Sequence, residues 1–186
     1  MENVPEHRFH LGDAVFTKVD KFKRCVPVHL RRAYEMAAVI EVEGFQLQDG
    51  TYVIKELAYS VLQTGELFHG LYKPPTEFEN LTPRDRHQCT YVSNNIHGLR
   101  WEEGELPYEK LEEHLRRVAC FVLYAKGFGK CKMLEKQYGI MAYNLDSVLC
   151  PTMTELPEVE VRCTYHSRKK HCAMAKAVAF ASWLKE

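Results

Sequence analysis

Two thiols and an imidazole lie within ten residues near the C-terminal end of the sequence, at Cys163, His166 and Cys172. Thiolate and imidazole groups are typical ligands of tetrahedral zinc. We expect Cys172 to begin an alanine-rich helix over 172–184, whose N-terminus favours the thiolate form. The spacing Cys-x2-His-x5-Cys therefore predicts three ligands of a structural zinc ion. The alternative is a pair of core thiols beside an exposed histidine.

A second group with chemical potential is the pair of carboxylates in the stretch Glu41-Val42-Glu43. Because successive side chains of a strand alternate between its faces, Glu41 and Glu43 point to the same side and can share a divalent cation. A two-metal nuclease holds two such ions about 4 Å apart. Glu41 and Glu43 are therefore weak candidates for catalytic residues with Mg²⁺ or Mn²⁺. The alternative is two solvated residues at a strand end.

Basic residues in the second half of the chain are candidates for contacts with nucleic-acid phosphates. They are Lys126, Lys130, Lys132, Arg168, Lys169, Lys170 and Lys176. Tyr124 and Phe128 lie among them and are candidates for stacking on bases. The alternative is that these lysines are ordinary solvated residues. The chain has 25 basic and 25 acidic residues, so a polyanion must be bound by a local patch.

The elements that must position these residues begin with three antiparallel strands. Apolar and β-branched residues predict strands over 37–45 and 52–62, with Asp49-Gly50 as the hairpin turn. A third strand precedes Pro74-Pro75. The segment 78–107 is predicted to be a long irregular loop.

The second half of the chain alternates helices and strands. The pattern predicts a helix over 107–120, a strand apolar on both faces over 120–128 and a helix over 129–139. A short strand followed by a turn is predicted within 140–149, before the final helix. This order predicts an α/β fold with a mixed sheet, in which three antiparallel strands are followed by parallel strands with flanking helices. It is the layout of ribonuclease H-like folds. We expect a basic N-terminal leader over 1–34 and one domain over 35–186.

The cysteine content and the absence of long apolar runs indicate the cellular compartment. Seven cysteines form an odd number without the spacing of a disulfide scaffold, which favours reduced thiols in the cytoplasm or nucleus. The start MENVPEHRFH has no apolar region of the secretory type. No apolar run approaches the ~18 to 20 residues of a membrane helix, so we expect no membrane partner.

Three stretches of the sequence resemble the motifs of DnaQ-type 3′–5′ exonucleases. AVIEVEGF, residues 38–45, is similar to their first motif, which supplies an acidic pair. FVLYAKGFGKCKML, residues 121–134, resembles the second motif, but Gly129 or Lys130 stands where an aspartate is expected. HCAMAKAVAFASWL, residues 171–184, resembles the third, with His171 present and Lys176 in place of the aspartate. Lysine at a ligand position repels a cation, so standard two-metal chemistry is not expected.

Two stretches also resemble the Maelstrom domain, which has a DnaQ-like fold without the exonuclease acids. They are YVIKELAYSVLQTGELFHGLYKPP, residues 52–75, and CTYHSRKKHCAMAKAVAFA, residues 163–181. The resemblance implies a Glu-Cys-His-Cys zinc set, which falls here on Glu56, Cys163, His166 and Cys172. Glu56 interrupts an apolar strand, where a metal would offset the cost of burying a carboxylate. The alternative partner for Glu56 is a loop arginine.

Three functions remain open at this point. The Maelstrom resemblance implies binding of single-stranded RNA, or its cleavage by an atypical ribonuclease, in small-RNA (piRNA-type) transposon silencing. A second hypothesis is a metal-dependent nuclease of a mobile element or virus, using Glu41 and Glu43 with Asp146. The third is a pseudoenzyme scaffold that binds protein partners through the 80–107 loop, anchored by His97, Trp101 and Tyr108.

Overall fold

The computed structural model describes residues 36–161, 163–166 and 171–186. In chain order the elements are β1 (Ala37–Gln46), β2 (Tyr52–Val61), β3 (Leu67–Leu71), α1 (Pro83–Val92), α2 (Lys110–Val118), β4 (Val122–Ala125), α3 (Phe128–Tyr138), β5 (Ala142–Asn144) and α4 (Ala173–Lys185). Short 3-10 segments lie at Phe78–Asn80 and Leu145–Val148, and a π-helical turn lies at Ser93–His97. The predicted leader, residues 1–34, lies outside the described residues.

The five strands form one mixed sheet in the order β3-β2-β1-β4-β5. β2 runs antiparallel to β1 and β3, whereas β4 runs parallel to β1 and β5. The predicted α/β class, with three antiparallel strands followed by parallel strands, is confirmed. The strand order reverses at β1. In α/β sheets the crevice at the carboxyl ends of the strands beside such a reversal commonly binds ligands.

The two faces of the sheet carry different helices. α2 and α3 cover one face, where Leu115 and Leu134 pack in the same core as Ile40. α4 covers the other face, where Ala173 and Ala177 pack on Ala58 of β2. These small side chains let α4 lie close to the sheet. Polar groups at the N-terminal end of α4 can therefore reach the strands.

A bulge between β1 and β2 sets the direction of the polar side chains on this face. Glu43 pairs with Glu56, but the next residue, Gly44, pairs with Ile54, which leaves Lys55 outside the ladder. Glycine is required at position 44, because a Cβ there would lie 2.0 Å from a carbonyl oxygen of β2. Bulges redirect side chains and are common beside functional sites. Glu43 and Glu56 consequently lie directly opposite each other across the two strands.

The prediction that 78–107 is irregular is wrong, because the segment contains α1. The Thr82 side chain accepts a hydrogen bond from the backbone N–H of Asp85 at 3.1 Å, and Pro83 occupies the first helical position. Thr-Pro-x-Asp is a recognised helix-start signal. Its sequence, PRDRHQCTYV, lacks the apolar stripe from which a helix is normally predicted. Among the described residues, no helix combines the length and apolar character needed to cross a bilayer.

Candidate metal centre and neighbouring acid site

Glu56, Cys163, His166 and Cys172 come together although more than 100 residues separate the glutamate from the others. Glu56 lies on β2, and Cys172 immediately precedes α4 as its N-cap. Each residue offers one ligand atom, and these four atoms lie within 4.8 Å of one another. All four residues are buried. The cluster implied by the resemblance is therefore present as a group that could hold a metal ion.

The separations between these atoms suit a tetrahedral ion. Oε1 of Glu56 lies 3.6 Å from Sγ of Cys163 and 3.7 Å from Sγ of Cys172. Oxygen and sulfur ligands of one zinc ion, at ~2.0 and ~2.3 Å from it, would be ~3.5 Å apart. Two thiols, an imidazole and a carboxylate also suit zinc, whereas magnesium and calcium require oxygen ligands.

The Glu56 carboxylate is fully buried but well compensated. Oε2 accepts a hydrogen bond from the backbone N–H of Ala173 at 3.0 Å and lies 2.8 Å from Nε2 of His166. Oε1 lies 2.8 Å from Nε2 of His69. Burial alone would raise the pKa of Glu56, but the hydrogen bonds from His166 and His69 outweigh it and lower the pKa to about 2. The carboxylate is therefore ionised at neutral pH, as a metal ligand must be.

His166 is oriented by a second contact on its other ring nitrogen. Its Nδ1 donates to the carbonyl oxygen of His97 at 2.5 Å, which directs Nε2 at Glu56. The His97 ring is fixed in turn, since Nδ1 accepts from the backbone N–H of Leu99 and Nε2 donates to the carbonyl oxygen of Gly44, both at 3.1 Å. The alternative of an exposed histidine is wrong, because only 3% of His166 is exposed.

The two thiols differ in their readiness to ionise. A hydrogen bond from Cys163 lowers the pKa of the Cys172 thiol, against the effect of burial. The same hydrogen bond, together with burial and the nearby Glu56 carboxylate, raises the pKa of Cys163. A metal ion must displace the remaining thiol proton and the proton on Nε2 of His166, which faces Glu56. Metal binding is therefore expected to weaken as the pH falls.

Glu41 and Glu43 lie on the same face as Glu56, but each is paired with a lysine. The ammonium of Lys130 contacts the fully buried Glu41, and that of Lys176 contacts Glu43. Glu41 also accepts a hydrogen bond from the backbone N–H of Lys126 at 3.1 Å. A two-metal nuclease needs carboxylates that face cations. Here tethered ammonium groups stand where cations would bind.

Three of the predicted basic residues line one cavity of about 290 Å³ next to this acid pair. Lys126, Lys130 and Lys176 lie around it, and Phe180 provides an apolar wall. Lys126 is also paired, with Asp146 at 2.5 Å. An ammonium group carries three donors, so a lysine can keep its carboxylate partner and still bind a phosphate oxygen.

The other predicted contact residues lie elsewhere. Lys132 sits 5.4 Å above the ring of Phe128, outside this cavity. Phe128 is 67% exposed and accessible to a base, whereas Tyr124 is only 7% exposed and the prediction that it stacks on a base is wrong. The remaining predicted residues, Arg168, Lys169 and Lys170, fall outside the described residues.

Two of the three anchors required by the scaffold hypothesis are buried. Only 3% of His97 and 1% of Trp101 is exposed. Nε1 of Trp101 donates to the carbonyl oxygen of Thr76 at 2.8 Å, and its ring packs near Phe45. Tyr108 is half-buried. The prediction that His97 and Trp101 face a partner is therefore wrong, since both belong to the interior.

Two histidines support the cluster in roles that the sequence does not predict. His69 pairs with Ala58, which lies two residues from Glu56 on the same face of β2. Its position could have been inferred once the register of the β2–β3 hairpin was known. His97 acts through its backbone carbonyl, and no side-chain pattern marks such a role.

Comparisons with known proteins give no family for this chain. No protein-family model matches it, and no curated protein matches it. The functional argument therefore rests on the residues and their geometry, and the resemblance to Maelstrom domains stays a hypothesis.

Proposed function

We propose that this chain is a zinc-stabilised domain of ribonuclease H-like fold that binds single-stranded RNA and has lost two-metal exonuclease chemistry. The observation that carries the proposal is the pairing of Glu41 with Lys130 and of Glu43 with Lys176. It gives an acid site that needs no divalent cation and that lies beside a lysine-lined cavity. The resemblance to Maelstrom domains adds small-RNA (piRNA-type) transposon silencing as the biological setting.

The zinc ion in this proposal is structural. Four protein ligands would fill a tetrahedral shell and leave no position for water. Such an ion would tie Cys172, at the start of α4, to Glu56 on β2. Binding free energy at a site of this kind contributes directly to folding free energy.

RNA in this proposal binds at the cavity lined by Lys126, Lys130 and Lys176. Ammonium groups suit phosphates, and the exposed ring of Phe128 suits stacking on an unpaired base. Single strands are favoured over duplexes because only unpaired bases can be splayed onto an aromatic ring.

The metal is tested by elemental analysis of purified protein. We expect about one zinc per chain, lost in Cys163→Ser and in Cys172→Ser. Cys120→Ser is the matched control, because Cys120 is an exposed thiol that does not belong to the cluster. A wild-type protein without bound metal, even after exposure to zinc, would contradict the proposal.

RNA binding is tested with variants that conserve net charge. Glu41→Gln/Lys130→Met and Glu43→Gln/Lys176→Met each remove one ammonium without leaving a buried carboxylate unpaired. Each is expected to weaken binding of a single-stranded RNA, and the slope of log K against log salt should fall in magnitude by ~0.7 for each lost phosphate contact. Glu113→Gln/Lys110→Met, which removes an exposed pair on α2, is the matched control and should bind RNA normally.

Cleavage assays separate the remaining functions. We expect no cleavage that depends on Mg²⁺ or Mn²⁺. RNA binding should be undiminished in EDTA, as long as the protein still retains its zinc. Mg²⁺-dependent cleavage that disappears in Glu41→Gln would instead establish the nuclease hypothesis. Cleavage without Mg²⁺ that disappears in Cys163→Ser would add an atypical ribonuclease activity at the metal centre. A folded, zinc-loaded protein that binds no RNA would contradict the proposal and favour the scaffold hypothesis.

A further inference from the structure

His69 lies beside the metal centre without belonging to its ligand set. It projects from β3, and its Nε2 lies 2.8 Å from Oε1 of Glu56. The side chain is 20% exposed, whereas that of Glu56 is fully buried. His69 therefore stands between the buried carboxylate and the surface.

The two oxygens of Glu56 have different neighbours, and His69 contacts the one that faces the thiols. Oε2 is held by the backbone N–H of Ala173 and by His166. Oε1 is the oxygen near Cys163 and Cys172, at 3.6 and 3.7 Å. An ion bound between the two sulfurs would therefore be ligated by Oε1. Among the described residues, the other side-chain partner of this oxygen is the ring of His69.

The surroundings of His69 explain why its contact matters. A cavity of about 320 Å³ opens beside the cluster and is lined by His69, Cys163, Tyr165 and Glu105, among others. Without the hydrogen bond from His69, Oε1 could turn away from the thiols toward this space.

We propose that His69 is a positioning residue of the metal centre: its Nε2–H holds Oε1 of Glu56 in the orientation that ligates the ion. The inference rests on the proposed zinc centre. Partners that orient a ligand typically change metal affinity 10- to 100-fold when they are removed. His69 itself contributes no ligand atom. Its removal should therefore weaken metal binding without abolishing it.

The experiment measures zinc affinity by competition with a chromogenic chelator. His69→Ala is expected to weaken zinc binding 10- to 100-fold. His69→Gln should stay within about threefold of wild type, because the glutamine amide nitrogen occupies the place of Nε2 and still donates. His69→Asn, whose amide is too short to reach Oε1, should resemble His69→Ala. His87→Ala, at an exposed histidine of α1, is the matched control and should be unchanged.

Cobalt spectra give a readout that a merely structural role would not move. In Co²⁺-loaded protein, His69→Ala and His69→Asn should shift the d–d bands, which report the oxygen ligand, while the thiolate charge-transfer band persists. His69→Gln should keep the wild-type spectrum. If Gln and Asn variants bind zinc equally well and give the same spectrum, the positioning role is refuted.

Failure of this inference is distinguishable from failure of the metal centre. Wild-type protein that binds neither zinc nor cobalt would overturn both. Wild-type protein that binds zinc with the same affinity as His69→Ala and His69→Asn would overturn the role of His69 alone. The Gln–Asn comparison also keeps the test valid if the alanine variant does not fold.

Discussion

Replacing Glu56 by glutamine tests whether the buried carboxylate is held as the structure shows. The substitution keeps the size of the side chain and an acceptor for the N–H of Ala173, but it removes the negative charge that faces His166 and His69. The variant is first compared with wild type in the presence of a chelator, so that only protein groups contribute. The second comparison adds zinc.

The expected magnitude follows from the pKa of Glu56, which the folded protein lowers from 4.5 to about 2. At about 1.4 kcal/mol for each pH unit, this corresponds to about 3 kcal/mol of stability at neutral pH. Removing one partner of a buried pair costs a similar ~3 to 5 kcal/mol. Because the pKa is lowered, the stabilisation is complete above pH 4.5 and is lost as the pH falls toward 2.

Urea unfolding at pH 7 measures both effects. With chelator, Glu56→Gln should be about 3 kcal/mol less stable than wild type. With free zinc at 100 times the dissociation constant, wild type should gain about 2.7 kcal/mol and the variant far less. Glu66→Gln, at an exposed glutamate in the turn between β2 and β3, is the matched control and should change little.

Two results would refute this reasoning. A chelator-treated variant as stable as wild type would show that the histidines and Ala173 do not compensate the carboxylate. Equal stabilisation by zinc in both proteins would remove Glu56 from the ligand set, whatever its effect on the metal-free fold. The two conclusions are independent, because one concerns the protein groups and the other concerns the ion.

Three further predictions concern the groups that hold the sheet together. Burial lowers the pKa of Lys55 from 10.5 to about 8, so between pH 8 and 10.5 the unfolded chain binds more protons than the folded protein. The free energy of unfolding, measured in urea and compared with that of Lys55→Met, should therefore rise by about 2 kcal/mol from pH 8 to 10.5. Lys130→Met should cost ~3 kcal/mol by orphaning Glu41, and adding Glu41→Gln should restore most of it in a double-mutant cycle. Ala177→Leu should lower stability by ~1 to 3 kcal/mol in thermal unfolding, because it overfills the contact with Ala58.

Elements defined by local patterns could be predicted from the sequence. Leu111, Leu115 and Val118 recur at helical spacing and form the buried face of α2. Gly139 ends α3, where it adopts a φ of 67° that favours glycine. Each signal lies within a few residues of the structure it produces. The polar helix α1 has a start signal but no apolar stripe, so hydrophobic periodicity does not predict it.

The candidate site was only partly predictable, because its pairs are distant in sequence. Cys163, His166 and Cys172 form a local pattern, whereas Lys130 and Glu41 lie 89 residues apart. Lysine in place of an aspartate predicts the loss of a cation site, but it does not predict that the ammonium will pair with the remaining acid. That pairing depends on how β4 and α3 lie beside β1, which local patterns do not specify.

The metal cluster and the lysine-paired acid site each include a residue at the N-terminal turn of α4. Cys172 and Lys176 are four residues apart and joined by a backbone hydrogen bond, so they lie on the same face of α4. Glu43 and Glu56, directly opposite each other on β1 and β2, would repel without positive charge nearby. Lys176 supplies this positive charge to Glu43. Burial favours the neutral form of Lys176, but the nearby Glu43 carboxylate raises the pKa of Lys176. A cation at the cluster would supply positive charge to Glu56. Loss of the metal should therefore remove the metal-mediated link between Cys172 and Glu56, while Lys176 and the N–H of Ala173 still hold α4 to the sheet.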